Sequence, residues 1–131
     1  MILKSYEAQK INLKKVKIIL FYGKNEGQKK ELTKKLIAKK NYTLYEQSEV
    51  LEKESDFLET ILSKSLFDKE RIIIIKRATD KLINTIEKIE PTKLEDVNII
   101  INADNLEKKS KLRSKFEKDK NYVCIAFYPD N

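Results

Sequence analysis

Residues 16–27 read VKIILFYGKNEG and join a nearly continuous apolar run to a loop with two glycines. An apolar run of this kind is typical of a strand that is buried on both faces of a parallel sheet. Gly23 and Gly27 are the only glycines in the sequence, so this loop is its clearest turn signal. A strand that ends at a glycine loop predicts the first strand–helix unit of an α/β domain.

The remaining sequence continues to alternate between strand and helix patterns. Short β-branched, aromatic or continuous apolar runs predict strands, and apolar residues at helical spacing predict the helices between them. The predicted strands are residues 16–22, 42–45, 71–76, 97–101 and 122–127. Residues 2–15 are expected to add a packing helix. We therefore predict an α/β fold with a five-stranded parallel sheet and helices on both faces.

Two helix starts are predicted from capping residues. Ser48 is a candidate N-cap for one helix running towards Ser65, whose apolar stripe would contain Leu51, Phe57, Leu58, Ile61 and Leu62. Asp104 and Glu107 have the spacing of a capping box, which predicts another helix start after the fourth strand.

Length and composition favour one folded domain over residues 1–131. The sequence is 40% hydrophobic and 37% charged, which is outside the low-hydrophobicity range of disordered chains. It contains no apolar run of the roughly 18 residues that a membrane span needs. Its single cysteine, Cys124, lies in an apolar segment and excludes a disulfide framework. We therefore expect a cytoplasmic protein without a membrane partner.

Positive charge is concentrated in two segments. Residues 1–40 hold 12 lysines and three glutamates, a net charge of +9, although the whole chain carries only +7. Residues 106–120 hold six lysines and one arginine against three acids. Such segments can bind nucleic acid or an acidic partner. The alternative is that they are solvated, lysine-rich helix faces.

The glycine loop stands where a phosphate-binding P-loop would stand, but it lacks the required residues. A P-loop reads GxxxxGK[ST], so that backbone amides surround the phosphates and the hydroxyl holds magnesium. Residues 23–30 read GKNEGQKK, which is one residue short between the glycines and has no Ser or Thr. Glu26 would also repel an anion at this position. We therefore expect no bound nucleotide and no cofactor.

Other catalytic chemistry also lacks its usual residues. The sequence has no histidine and one cysteine, which excludes the usual triads and zinc sites. An ATPase needs an acidic pair after an apolar strand, and the run ending at Ile101 is followed by one late aspartate, Asp104. We therefore predict no catalytic residue and no metal site.

Residues 65–68, Ser65-Leu66-Phe67-Asp68, place two large apolar side chains between a predicted helix and a predicted strand. If Leu66 and Phe67 are exposed, they form an apolar plug for a partner's pocket. The alternative is that Leu66, four residues after Leu62, extends the buried stripe of the helix.

Three segments in combination resemble a known family. They are FYGKNEG at residues 21–27, SLF at 65–67 before RIIIIK at 71–76, and DNLEKKSKL at 104–112. The sequence is similar across almost its whole length to the delta subunit of bacterial DNA polymerase III, the clamp-loader subunit that opens the sliding clamp.

The resemblance implies an AAA+-like N-terminal domain, of the P-loop NTPase type, without a functional nucleotide site. Leu66 and Phe67 would be the clamp-binding plug, with Ser65 and Asp68 as flanking contacts. The implied partners are the sliding clamp (beta subunit) and the gamma, tau and delta prime loader subunits, with DNA contact through the assembled complex. The domain would have no catalysis of its own within the polymerase holoenzyme. Members of the family continue into lid and collar domains, so residues 1–131 would correspond to the first domain.

Two other functions stay open at the level of sequence. One is a nucleotide-binding domain with a degenerate P-loop. The other is a basic nucleic-acid-binding module that uses the two lysine-rich segments.

Overall fold

Six parallel strands form one sheet in the computed structural model, which describes residues 1–38, 40–63 and 70–128. The strands are β1 (Ile2–Lys4), β2 (Ile18–Tyr22), β3 (Asn41–Glu46), β4 (Arg71–Ala78), β5 (Val97–Ala103) and β6 (Tyr122–Ala126). Their order across the sheet is β1-β6-β2-β5-β4-β3. The predicted parallel α/β architecture is confirmed, but the sheet has six strands and not five.

The additional strand is β1, at the edge of the sheet. It pairs with β6 in the register Ile2↔Cys124, and a 3₁₀ helix, Ser5–Lys10, follows it. The predicted packing helix in residues 2–15 is therefore confirmed only in part, as a short 3₁₀ helix whose Ala8 packs on the core, and the strand before it was not predicted. A strand of three residues is too short to show a two-residue periodicity, and its conformation comes from hydrogen bonding to β6.

The helices are α1 (Glu26–Ile37), α2 (Gln47–Glu52), α3 (Glu54–Leu62), α4 (Ile83–Glu87) and α5 (Lys111–Lys118). The single helix predicted from Ser48 is in fact two helices, because Lys53 leaves the helical conformation at φ −126° and ψ 52°. The first of them starts at Gln47, where the amide of Glu46 donates to the Glu49 carboxylate at 3.0 Å. None of the helices in the described part of the chain is long and apolar enough to cross a membrane.

The core lies on both faces of the sheet, as the continuous apolar strands predict. Along β2, Ile18 and Leu20 pack on one face, whereas Ile19 and Phe21 pack on the other. Side chains from α2, α3, α4 and α5 join the first face, and α1 with the N-terminal segment joins the second. The two faces are therefore covered unequally, with a single long helix on the second.

The start of α5 is set by two side chains that are distant in sequence. Ser110 is the N-cap and accepts from the amide of Arg113 at 3.2 Å. The Asp80 carboxylate accepts from Ser110 Oγ at 2.6 Å and from the amides of Leu112 and Lys111 at 3.1 Å each.

The capping box predicted at Asp104 and Glu107 is wrong, because this helix begins at Lys111. The Asp104 carboxylate instead accepts from the adjacent amide of Asn105 at 2.9 Å. An aspartate in a loop can make this local bond without starting a helix.

Candidate functional site

The glycine loop, residues 23–27, lies at the edge of the sheet where the parallel strands end. In open parallel sheets ligands bind beyond the carboxyl ends of the strands, where the strand order changes direction. The chain leaves β2 for the far edge at β3 and returns through β4 and β5, while β6 lies on the other side of β2. The loop after β2 therefore occupies the usual position of a ligand site in such a sheet.

The chain itself fills the space next to the first glycine. Gly23 has a φ of +115°, and a Cβ added to it would overlap the carbonyl oxygen of Phe127 and lie 2.8 Å from the carbonyl carbon. The amide of Phe127 donates to the carbonyl of Tyr22 at 2.8 Å, which holds the segment after β6 against the loop. Glycine is required at this position because no larger residue fits between the two segments.

The loop amides are already used in hydrogen bonds within the chain. Gly23 N donates to the carbonyl of Asp104 at 3.1 Å, and Asn25 N donates to the carbonyl of Phe127 at 3.2 Å. Asn25 also caps α1, since its Oδ1 accepts from the amide of Gln28 at 3.1 Å. A phosphate-binding loop instead directs its amides at the anion. Loop amides that already donate to carbonyl oxygens are not available for that task.

Lys29, in the first turn of α1, is buried with 1% of its surface exposed. Its Nζ donates to the carbonyl of Ala103 at 3.0 Å and lies 2.6 Å from a carboxylate oxygen of Glu26. Because a buried ammonium must be paired, Glu26 serves as its counter-ion.

The sequence interpretation missed the role of Lys29, although a signal was present. Lys29 precedes Leu32 by three residues and Leu36 by seven, so all three lie on one face of α1. Both leucines pack against the core of the second sheet face. A lysine on an apolar helix face predicts a buried ammonium with a specific partner.

The ends of β4 and β5 border a cavity of about 460 Å³ beside the glycine loop. Its lining includes Lys76 and Arg77 from β4, and Asn102 and Asp104 from the end of β5. The backbone of Arg77 has a φ of 55° at an irregularity of the β4–β5 pairing, and its Nε lies 3.2 Å from a carboxylate oxygen of Glu46. The end of β4 therefore carries two cationic side chains, Lys76 and Arg77. A magnesium site there would need carboxylates instead.

Metal and thiol chemistry have little support at the residues that the structure describes. Within those residues no group of three or more His, Cys, Asp or Glu side chains could hold a metal ion. Burial raises the pKa of the Cys124 thiol to about 12, so this thiol stays protonated and unreactive near neutral pH.

The predicted clamp-binding residues Ser65, Leu66, Phe67 and Asp68 lie outside the described residues. The chain on either side of them is described, with α3 ending at Leu62 and β4 beginning at Arg71. Leu62 is 45% exposed, so the buried stripe of α3 does not include it. The alternative in which Leu66 extends a buried stripe therefore has no buried residue at position 62 from which to extend it.

Arg71 holds the end of α3 against the start of β4. Its guanidinium donates from Nη1 to the carbonyl of Thr60 at 3.1 Å and from Nη2 to that of Ser63 at 2.7 Å. The amide of Arg71 donates to the carbonyl of Asp96, just before β5. The segment after Ser63 therefore departs from the edge where the strands begin, opposite the glycine loop.

Lysines gather at a second surface, around the start of α5. Lys108, Lys109, Lys111 and Lys115 line a groove of about 540 Å³ together with Asn84 and other residues. The first three are exposed. Part of the basic segment predicted from the sequence is thus brought together on one surface.

Comparison with known proteins gives a likeness of fold. No protein-family model matches the sequence, and no curated protein matches it. The chain is similar in structure to Saccharomyces cerevisiae RIF2, with a TM-score of 0.58 and 17% sequence identity. The match covers 97% of this chain and 54% of the RIF2 chain, so this chain spans about half of that structure. At this level of identity, the two proteins share an α/β fold.

Proposed function

We propose that the chain is a non-catalytic, AAA+-like domain of a clamp-loader subunit, which binds the DNA polymerase sliding clamp and helps to open it during replication. Its scaffold would be of the P-loop type, with the nucleotide site lost. ATP hydrolysis would belong to other subunits of the loader. The clamp as partner rests on the resemblance to the delta subunit of bacterial DNA polymerase III.

The observation that carries the proposal is the self-occupied loop after β2. The carbonyl of Phe127 packs on Gly23, and the buried Lys29 ammonium is bonded to Ala103 and Glu26. Binding a triphosphate there requires breaking these contacts and moving a carboxylate away from the only buried lysine of the described chain. The strand order, with β2 between β6 and β5, supports a P-loop ancestry for the scaffold.

The proposed clamp contact is the pair Leu66 and Phe67. Burying each of these side chains in an apolar pocket contributes roughly 1.5–3 kcal/mol, and a few such residues usually dominate an interface. A plug opens a ring only if it binds the open or distorted clamp more tightly than the closed one. We therefore assign to this pair a preference for the opened subunit interface of the clamp.

The test is calorimetric titration of the chain with a bacterial sliding clamp. Replacing Leu66→Ala together with Phe67→Ala should weaken binding by at least two orders of magnitude, because both apolar anchors are removed. Cooperative urea unfolding of the same variant should remain close to that of the original chain.

Leu62→Ala provides the matched control, since Leu62 is an exposed leucine nearby on α3. This control should bind the clamp as the original chain does. Normal clamp binding by the Leu66/Phe67 double variant would refute the plug. Loss of cooperative unfolding in that variant would instead show that the two side chains are buried.

A second candidate function is nucleic-acid binding, favoured by the four lysines around the groove at α5. Exposed lysines on one surface neutralise neighbouring phosphates and release counter-ions, which gives affinity without sequence preference. This activity is compatible with a loader subunit, because the same domain can contact DNA inside the assembled complex.

A further inference from the structure

One groove lies on the face of the sheet that α1 covers. Its volume is about 660 Å³, with α1 as one wall and the edge strand β3 as the other. Ile74 of β4 lies between them on the floor.

At this groove, helices cover the face of the sheet only in part. All-parallel sheets normally have both faces covered by helices. On the opposite face, α2 lies against β3 and β4, and Tyr45 packs edge-on against Phe57 of α3 at 5.3 Å. On the α1 face, the 3₁₀ helix Ser5–Lys10 lies on the β6 side of α1, and no further helix of the described chain lies over β3 and β4. The incompletely covered strip lies over the edge strand β3, because Ile72 and Ile74 of β4 are buried whereas Tyr42 and Leu44 of β3 are exposed.

The incompletely covered strip is apolar. Tyr42 and Leu44, two residues apart on β3, share this face of the strand and are 54% and 49% exposed. Ile37 of α1 joins them in lining the groove. Two large, half-exposed apolar side chains beside an apolar floor indicate a surface that another chain covers.

The charges around the strip are almost all positive. Lys30 and Lys34 stand on the α1 wall and Lys76 on the β4 side, and none of the three has an ion-pair partner among the residues described. The single carboxylate in the lining, Glu26, is already paired with Lys29. An occupant with acidic residues on its flanks would therefore complement the groove.

We propose that this groove binds an amphipathic α-helix of a partner protein, with an apolar stripe against Tyr42 and Leu44 and acidic residues beside Lys30 and Lys34. A helix fits this groove better than an added strand does. The groove lies on the face of the sheet, whereas an added strand would pair along the outer edge of β3. The apolar floor favours a protein helix over a nucleic acid, which would need charged or stacking contacts throughout.

The test uses three fluorescein-labelled 18-residue peptides and fluorescence anisotropy. The first has leucines at helical i, i+3, i+4, i+7 spacing with glutamates on the flanks. The second carries lysines in place of the glutamates, and the third has the first peptide's composition in scrambled order. The acidic amphipathic peptide should bind saturably and at least tenfold more tightly than either of the others.

Two sets of variants locate the site. Leu44→Asp should weaken binding of the acidic peptide at least tenfold, whereas Leu62→Asp, at an exposed leucine of α3, should leave it unchanged. Lys30→Glu with Lys34→Glu should reverse the preference, so that the lysine peptide binds more tightly than the glutamate peptide. Both lysines lie on the solvent-facing side of α1, so this reversal remains a test if the Leu44 variant fails to fold.

Several results would overturn the proposal. They are equal binding of the scrambled peptide, peptide binding that no groove variant changes, and displacement of the peptide by single-stranded DNA. A dimer in sedimentation that the Lys30/Lys34 variant dissociates would assign the groove to a second copy of the chain, against the proposal. The Leu66→Ala, Phe67→Ala variant should bind the acidic peptide normally, so failure of the clamp proposal and failure of this one are distinguishable.

Discussion

Lys29 has a structural role beside the glycine loop. A lysine after the glycine loop would be expected to meet a phosphate, but Lys29 is buried and donates to the carbonyl of Ala103. The carboxylate of Glu26 supplies the negative charge that a phosphate would otherwise bring. The ammonium thus links the start of α1 to the end of β5 without any ligand.

The two glycines of the loop have different roles, and substitution separates them. Gly23→Ala should destabilise the chain by roughly 2–4 kcal/mol, because the methyl group overlaps the Phe127 backbone and the φ of +115° is unfavourable for alanine. Gly27→Ala should stabilise it by about 0.5–1 kcal/mol, since Gly27 lies in α1 and a Cβ there meets only Asn25 Oδ1 at 3.7 Å. Urea unfolding monitored by circular dichroism measures both values.

A loss of stability for both glycine variants would contradict this assignment. It would mean that Gly27 is also needed for close approach of another segment. If both variants were neutral, the contact between Gly23 and Phe127 would not be present in solution.

At the scale of elements, Asp80 joins two parts of the chain that are about 30 residues apart in sequence. Partial burial opposes its ionisation, but hydrogen bonds from Ser110 Oγ and from the amides of Leu112 and Lys111 hold the pKa of this carboxyl below its usual value. A carboxylate at the start of a helix also interacts favourably with the helix dipole. The first turn of α5 is therefore stabilised by the ionised form of Asp80.

Asp80→Asn should cost about 1 kcal/mol of unfolding free energy at pH 7, the usual value of a helix N-cap. Because the pKa is lowered on folding, the stabilisation is complete above the unfolded value of about 3.9 and is lost as the pH falls through the folded value. The difference between the variant and the original chain should therefore be smaller at pH 2.5 than at pH 7. Urea unfolding at the two pH values measures it.

Asp104→Asn is the control for this experiment, because the Asp104 carboxylate is exposed and bonds the amide of its own neighbour. It should change stability by less than about 0.5 kcal/mol at either pH. An Asp80 variant that loses as much stability at pH 2.5 as at pH 7 would show that the carboxylate charge is not responsible.

At the scale of the whole molecule, the proposed functions separate along the strand direction. The self-occupied glycine loop lies where the strands end, and the segment bearing Leu66 and Phe67 leaves α3 and enters β4 where the strands begin. The lysine groove at α5 and the apolar groove at α1 lie on opposite faces of the sheet.

The lysine groove predicts DNA binding that depends steeply on salt. If Lys108, Lys109, Lys111 and Lys115 each contact one phosphate, log K should fall with log[salt] at a slope of about −3.6 on duplex DNA. Lys108→Glu with Lys109→Glu should reduce this slope by about half. Fluorescence anisotropy with a labelled 20-base-pair duplex, across a range of salt concentrations, measures the slope.

Lys53→Glu is the control, because Lys53 is an exposed lysine between α2 and α3. It should lower the affinity for DNA but leave the slope of log K against log[salt] unchanged. A double variant with the original slope would place the DNA contacts elsewhere on the chain. Absence of DNA binding at low salt would show that the α5 lysines form a solvated helix face and no DNA-binding surface.

The sequence by itself determined the parallel α/β class and five of the six strands, because runs such as Ile72–Ile75 are apolar on both faces whatever their neighbours. It also determined that the glycine loop lacks the P-loop motif, since this motif is read from one short segment. Tertiary structure decided the strand order, the pairing of β1 with β6, and the break at Lys53. It also decided the contacts of Gly23 with Phe127 and of Lys29 with Ala103. The physical reason is the distance along the sequence over which residues interact. Periodicity and local motifs reflect residues within about one helical turn of each other, whereas these features depend on groups that only folding brings together.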